Sequence, residues 1–182
     1  MTPQFLEASL EGARAQLGVV LGVTIPDEWP DDPRWPRRRL EQLREDPELQ
    51  PWLLRAIVLR AERRMVGHIG FHGRPDDPSL QELAPGGVEL GYTVFENDRR
   101  RGYAREACEA LMSWAHRSQG VTRFVVSISP ANLASLTLAR RLGFERIART
   151  SMTKLDRRTS SRADSMAHRC SSVRRWLRMF RH

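Results

Sequence analysis

The sequence holds only two cysteines, Cys108 and Cys170. Neither belongs to a CxxC pair or lies near a histidine cluster, so neither a disulfide framework nor a zinc site is indicated, and no metal is expected. No apolar run approaches the roughly 20 residues of a membrane-spanning helix. The longest, LGVVLGVTI at 17–25, follows Glu7 and Glu11 rather than a basic leader. That argues against a secretory signal and a membrane span, and for the cytoplasm. Glycine fingerprints are missing too: no GxGxxG follows a strand-like run and GxxxxGK[ST] occurs nowhere, so dinucleotide and P-loop readings fail. Lysine is nearly absent. Lys154 is the only one, and the other 29 of the 30 basic residues are arginine, which reads as a coding bias rather than a functional choice.

What is present fits one soluble domain, with 40% hydrophobic and 29% charged residues in a chain of 182. The net charge of +8 is unevenly spread. Residues 151–182 hold nine basic residues against Asp156 and Asp164, which leaves only +1 for residues 1–150. A nucleic-acid binder carries its basic face on the domain itself, so such a partner is expected only through the tail.

Thr2 and Pro3 read as an N-cap and first helical residue, and Phe5, Leu6, Ser9, Leu10, Ala13 and Leu17 keep helical spacing up to Gly18. PDEWPDDPRWP, 26–36, is an irregular connection, and a short helix is expected over 37–45. From residue 52 the period changes: WLLRAIVLRA, ERR and MVGHIGFHG read as a strand, a turn and a strand. A breaker-rich loop leads to VELGYTVFE, 88–96, a third strand. A helix with Ala104, Ala107, Cys108, Leu111 and Ala115 on one face comes next, then the strand RFVVSIS, 123–129, and a helix from Asn132 to Leu142 closed by Gly143. This order predicts a mixed α/β sheet with helices on its faces.

Between the third strand and the following helix lies ENDRRRGYAREA, 96–107. The first turn of a helix carries unpaired N–H groups and a partial positive charge, and phosphates bind there. Gly102 lets a ligand approach the backbone, Ala104 keeps the next position small, and the arginines add countercharge. The features converge on a diphosphate; the bland alternative is a solvated charge run.

RRRGYA, 99–104, resembles the Arg/Gln-x-x-Gly-x-Gly/Ala motif of the GNAT acyl-CoA N-acyltransferases. SISPANLASLTLARRLGF, 127–144, and VELGYTVF, 88–95, match further segments of that family in the right order. The resemblance spans roughly 52–148 and is nearest to the branch containing ribosomal-protein N-terminal acetyltransferases. It implies a GNAT-type domain over 1–150: a mixed, mostly antiparallel sheet splayed between two central parallel strands, with helices on both faces. It implies acetyl-CoA as co-substrate and a primary amine as acceptor, either a protein N-terminus or a small molecule. A homodimer is compatible with it.

Carried over, the strands that part are 88–96 and 123–129. The amides of Arg101, Gly102, Tyr103, Ala104 and Arg105 take the pyrophosphate, with Arg99 at the first motif position. Val94 pairs with the pantetheine arm and its amide polarises the thioester carbonyl. Asn132 contacts that arm or caps its helix. Glu89 is the candidate base, directly or through water, against a purely structural role. Many members place a Tyr four residues before the Gly of Gly-Phe as general acid. Here that position is Ala139, so the Tyr mechanism is excluded, and Ser135 or solvent remains. His68 and His72 line the acceptor pocket, act as auxiliary bases, or are satisfied core histidines. Trp29 and Trp35 form part of the acceptor wall or pack in the core.

The resemblance stops near residue 150. Residues 151–182 form a Ser/Arg-rich basic segment lacking the alternation of the family's closing strands. It is a basic extension for anionic partners, a helix capping the sheet edge, or an out-of-frame end without the final strand, toward which the Arg/Ser bias leans. Two further functions stay open: an acyl-CoA-binding module without turnover, and nucleic-acid binding through the tail.

Overall fold

The computed structural model of the chain describes residues 1–75, 77–146 and 174–179. Helix α1, Pro3–Glu11, starts where Thr2 accepts a hydrogen bond from the amide of Phe5. It stops earlier than the apolar spacing predicts, because Gly12 takes a left-handed conformation with φ 71°. The chain then re-enters helix as α2, Arg14–Leu21. Helix α3, Arg34–Glu45, begins three residues before the expected 37. All three pack on one face of the sheet, where Phe5, Leu6, Leu17, Trp29, Leu40 and Leu43 join Leu53, Met65 and Phe95 in one buried cluster.

The sheet comprises β1 Arg55–Leu59, β2 Arg64–Phe71, β3 Val88–Val94, β4 Arg123–Ile128, β5 Glu145–Arg146 and β6 Arg174–Met179, in the order β1-β2-β3-β4-β6-β5. Strands β1 to β3 are antiparallel, and β3 and β4, at the centre, are parallel. Helices α4, Tyr103–Gln119, and α5, Leu133–Arg141, cover the other face. Cys108, Leu111, Met112 and Ala115 of α4 and Leu136 and Ala139 of α5 pack there against Val88, Leu90, Phe124, Val126 and Ile128. The expected mixed sheet with helices on both faces is what the chain adopts.

The C-terminal segment gives a different result from the sequence pattern. Residues 174–179 form a strand parallel to β4, in register from Arg123↔Arg174 to Ile128↔Met179, rather than a helix on the sheet edge. The edge of β4 is therefore covered. The Ser/Arg-rich stretch 147–173, with most of the expected basic extension, lies outside the described residues. No described helix is long and apolar enough to cross a membrane.

Candidate active site

The site follows from where two neighbouring strands cease to pair. β3 and β4 are bridged only at Val88↔Phe124 and Glu89↔Val125. Beyond that point, among the described residues, β3 runs on to Val94 with no strand paired on that side. Its other side stays paired: His72 N–H donates to Glu89 O at 2.8 Å and Phe95 N–H to Val66 O at 3.0 Å. Backbone groups alternate edges along an antiparallel strand. Odd residues from 89 to 95 are thus turned to β2, and the N–H and C=O of Tyr92 and Val94 face the opened side.

That side is a cleft of about 1060 Å³. Its walls are Tyr92, Thr93 and Val94 of β3, the loop and first turn of α4, and the inward side of α5. Of the residues singled out from sequence, Val94, Arg99, Gly102, Tyr103, Ala104, Arg105, Asn132 and Ser135 all line it. Arg101 and Glu89 do not.

The loop is built to expose helix amides. Helix α4 has no side-chain cap, and Gly102 before it stands at φ 87°, with nothing within 4 Å of the place a Cβ would occupy. Arg100 is left-handed as well, at φ 63°. The arginines divide their work. Arg99 Nε donates to the carbonyl oxygen of Val94 at 3.0 Å, so its role is to hold the end of β3. Arg105 Nε is paired with Glu109 at 2.9 Å on the exposed helix surface.

An ion pair anchors the loop from beneath. Asp98 is 3% exposed and takes two hydrogen bonds from Arg64 of β2, at 2.7 and 3.0 Å. These bonds hold its carboxyl below the usual carboxylate range, with smaller help from the charge of Arg101. Neither Arg64 nor Asp98 stood out in the sequence; they are 34 residues apart, and only the β2–β3 hairpin brings them together.

Across the cleft, Asn132 Oδ1 accepts the amide of Ser135 at 3.0 Å, capping α5. Burial raises the Tyr92 phenol above the usual tyrosine range, and the Ser135 side chain beside it acts in the opposite direction. Tyr92 was missed from sequence, although the alternation of VELGYTV places it with Val88 and Leu90 on the α4–α5 face. Ala139 is buried beneath the same helix, at 3% exposure. Arg141, two residues further along α5, also reaches the cleft.

The opposite face of β3 carries Glu89, Gly91 and Thr93. Glu89 sits where β3 still pairs with β4, with its Oε2 3.5 Å from His72 Nδ1. His68 lies opposite Thr93 and is bound through Nε2 to Asp31 at 2.9 Å, with Trp29 edge-on. Burial works against ionisation of Asp31, but the bonds and charge of His68 leave its carboxyl lowered. Trp29 is core, 1% exposed, with its indole N–H donating to Ser9; Trp35 remains 39% exposed. Cys108 is buried, and burial pushes its thiol up to about 12, so it packs and does not react.

A family model described as "Acetyltransferase (GNAT) domain" matches residues 18–145. The uncharacterized N-acetyltransferase YjdG of Bacillus subtilis is 32% identical over 88 residues, covering 48% of either chain. An N-acetyltransferase 9-like protein of Caenorhabditis briggsae is 31% identical over 104 residues, covering 54% of this chain and 52% of its own length. The chain thus spans about half the length of the curated relatives it matches. Among solved structures, AAC(6')-Iy in complex with a CoA bisubstrate analogue superposes with a TM-score of 0.53 at 21% identity, over 81% of this chain and 91% of that one. That likeness supports the fold.

Proposed function

Because the chain belongs to the acetyltransferase (GNAT) family, we propose that it transfers the acetyl group of acetyl-CoA to a primary amine by direct attack. The observation that carries this reading is the parting of β3 from β4 after Glu89, with an uncapped helix N-terminus at the mouth of the opening. The chain's own groups suit such a co-substrate. Open space at Gly102 and the first-turn amides of α4 suit a diphosphate. The amides of Gly102 to Arg105 bind it, while Arg100 and Arg141 supply countercharge at the cleft. The free edge of β3 suits an extended amide-bearing arm, which would add to it as a strand does.

When bound, the thioester supplies an activated acetyl group. The Val94 amide, with that of Tyr92 beside it, stabilises negative charge developing on the carbonyl oxygen. Nitrogen bonds to the acetyl carbon and the carbon–sulfur bond breaks. The departing sulfur takes up a proton from Ser135, which regains one from solvent. The reacting nitrogen gives up two protons, so one is released per turnover and no electrons change hands. Glu89 is the carboxylate on which the first deprotonation depends.

The acceptor is an α-amine at a protein N-terminus or a small-molecule amine, and the reaction belongs in the cytoplasm. A thiol-release assay with acetyl-CoA across amine and peptide panels tests the proposal: release that depends on an amine supports it. Binding of acetyl-CoA without release under any amine would leave only a binding module.

A further inference from the structure

Resting on the transferase reading, the geometry points to His72 as the group that takes the proton from the acceptor amine, with Glu89 as its positioning residue. Glu89 is badly placed to act alone. It stands three residues before Tyr92 and five before Val94, roughly 10 and 16 Å along an extended strand. Direct proton transfer needs about 2.6–3.2 Å between heavy atoms. Glu89 also stays where the central strands are still paired, with its side chain only 14% exposed.

His72 covers the gap. It lies opposite Glu89, directly after β2, and its ring leans along β3. Nε2 comes within 3.0 Å of where a Cβ on Gly91 would stand, while Nδ1 faces Glu89 at 3.5 Å. One ring nitrogen therefore meets the carboxylate and the other sits beside the residue preceding Tyr92. Only a glycine at 91 leaves that space. The backbone is clamped: the amide donates to Glu89 O at 2.8 Å, and the carbonyl accepts from Arg39 at 3.2 Å and Gln42 at 3.3 Å. The side chain is 36% exposed, so an acceptor can reach it. His68, by contrast, is 5% exposed with Nε2 committed to Asp31.

A neutral imidazole takes one proton from the ammonium at Nε2 and passes it to solvent after the acetyl group has moved. Glu89 holds the Nδ1 side and fixes the ring. Among the described residues, the charged groups near it include Glu89 from β3 and Arg39 from α3, and the loop that follows carries Arg74, paired with Asp46 at 3.1 Å, and Asp77 beside Gly73.

The experiment measures kcat/KM against pH with acetyl-CoA and alanine- and serine-headed peptides, for the full chain and for His72→Ala, Glu89→Gln and Gly91→Ala. His72→Ala should lose about 10²-fold at pH 7, the lower end for a general base, and lose the rise of rate with pH. Added imidazole should restore it at least tenfold, which a structural role would not allow. Glu89→Gln should retain the rise at about a tenth of the rate. Gly91→Ala, which removes no functional group, should lower kcat while leaving KM for acetyl-CoA unchanged. The inference is overturned if His72→Ala keeps the wild-type profile, or if Glu89→Gln abolishes the rise and His72→Ala does not. A wild-type chain that shows neither stabilisation by acetyl-CoA nor thiol release would instead overturn the transferase reading, and this inference with it.

Discussion

Arg99 reaches back to the strand it follows and donates Nε to the carbonyl oxygen of Val94 at 3.0 Å. The contact closes a short loop over the end of β3 and occupies a carbonyl that would otherwise face the cleft. The Val94 N–H is left as the group turned toward a ligand. Arg99 is therefore a positioning residue, and its charge is secondary to its fork. Arg99→Ala should weaken acetyl-CoA binding about tenfold by calorimetry, the equivalent of one hydrogen bond from a charged donor. Arg99→Lys should recover little, since Lys lacks the planar Nε donor. Full affinity in Arg99→Ala would show that the carbonyl cap is dispensable.

Asp98 gives a prediction about stability and its pH dependence. Among the described residues, removing the carboxylate leaves Arg64 paired with Glu62 at the surface. Asp98→Asn should cost about 2 kcal/mol, below the roughly 3–5 of a fully buried pair, because the Arg64 side chain is 28% exposed. The folded carboxyl is depressed. The pair's contribution is thus complete above the unfolded carboxylate range near 4 and is lost as pH falls through the lower folded value. Denaturant midpoints of wild type and variant should differ at pH 7 and converge as pH falls below the unfolded carboxylate range.

Cys108 should resist chemistry in the native state. With a buried thiol pushed up to about 12, almost no thiolate exists at pH 8, and an iodoacetamide adduct at this position should appear by mass spectrometry only after unfolding. Rapid native labelling of Cys108 would contradict the packing of α4 against the sheet.

The order of strands and helices, and the loop with its glycine, were legible because period changes and an anion-binding loop leave local signatures. Residues 88–94 and 123–128 came within a residue or two of their ends for that reason. What escaped depends on pairing over distance. The Arg64–Asp98 pair, the Tyr92–Ser135 contact and the lean of His72 over Gly91 each join elements whose adjacency only the sheet determines. The division of α1 from α2 was hidden differently: Gly12 interrupts a run whose apolar residues keep helical spacing across the break. The strand at 174–179 pairs with β4 and β5, although its residues RRWLRM carry no apolar–polar alternation from which a strand could be read.

Acetyl-CoA binding at the α4 N-terminus is the claim on which the rest depends, and thermal denaturation with and without acetyl-CoA tests it most directly, in wild type and in Gly102→Ala. At about 100 times Kd, stabilisation of roughly 2.7 kcal/mol should raise the wild-type Tm by about 5–10 °C. Gly102→Ala places a methyl group in open cleft at a positive φ; it should lower the unliganded Tm slightly, through about 1 kcal/mol of strain, and lose most of the shift. No wild-type shift at millimolar acetyl-CoA, or an undiminished shift in Gly102→Ala, would contradict the account.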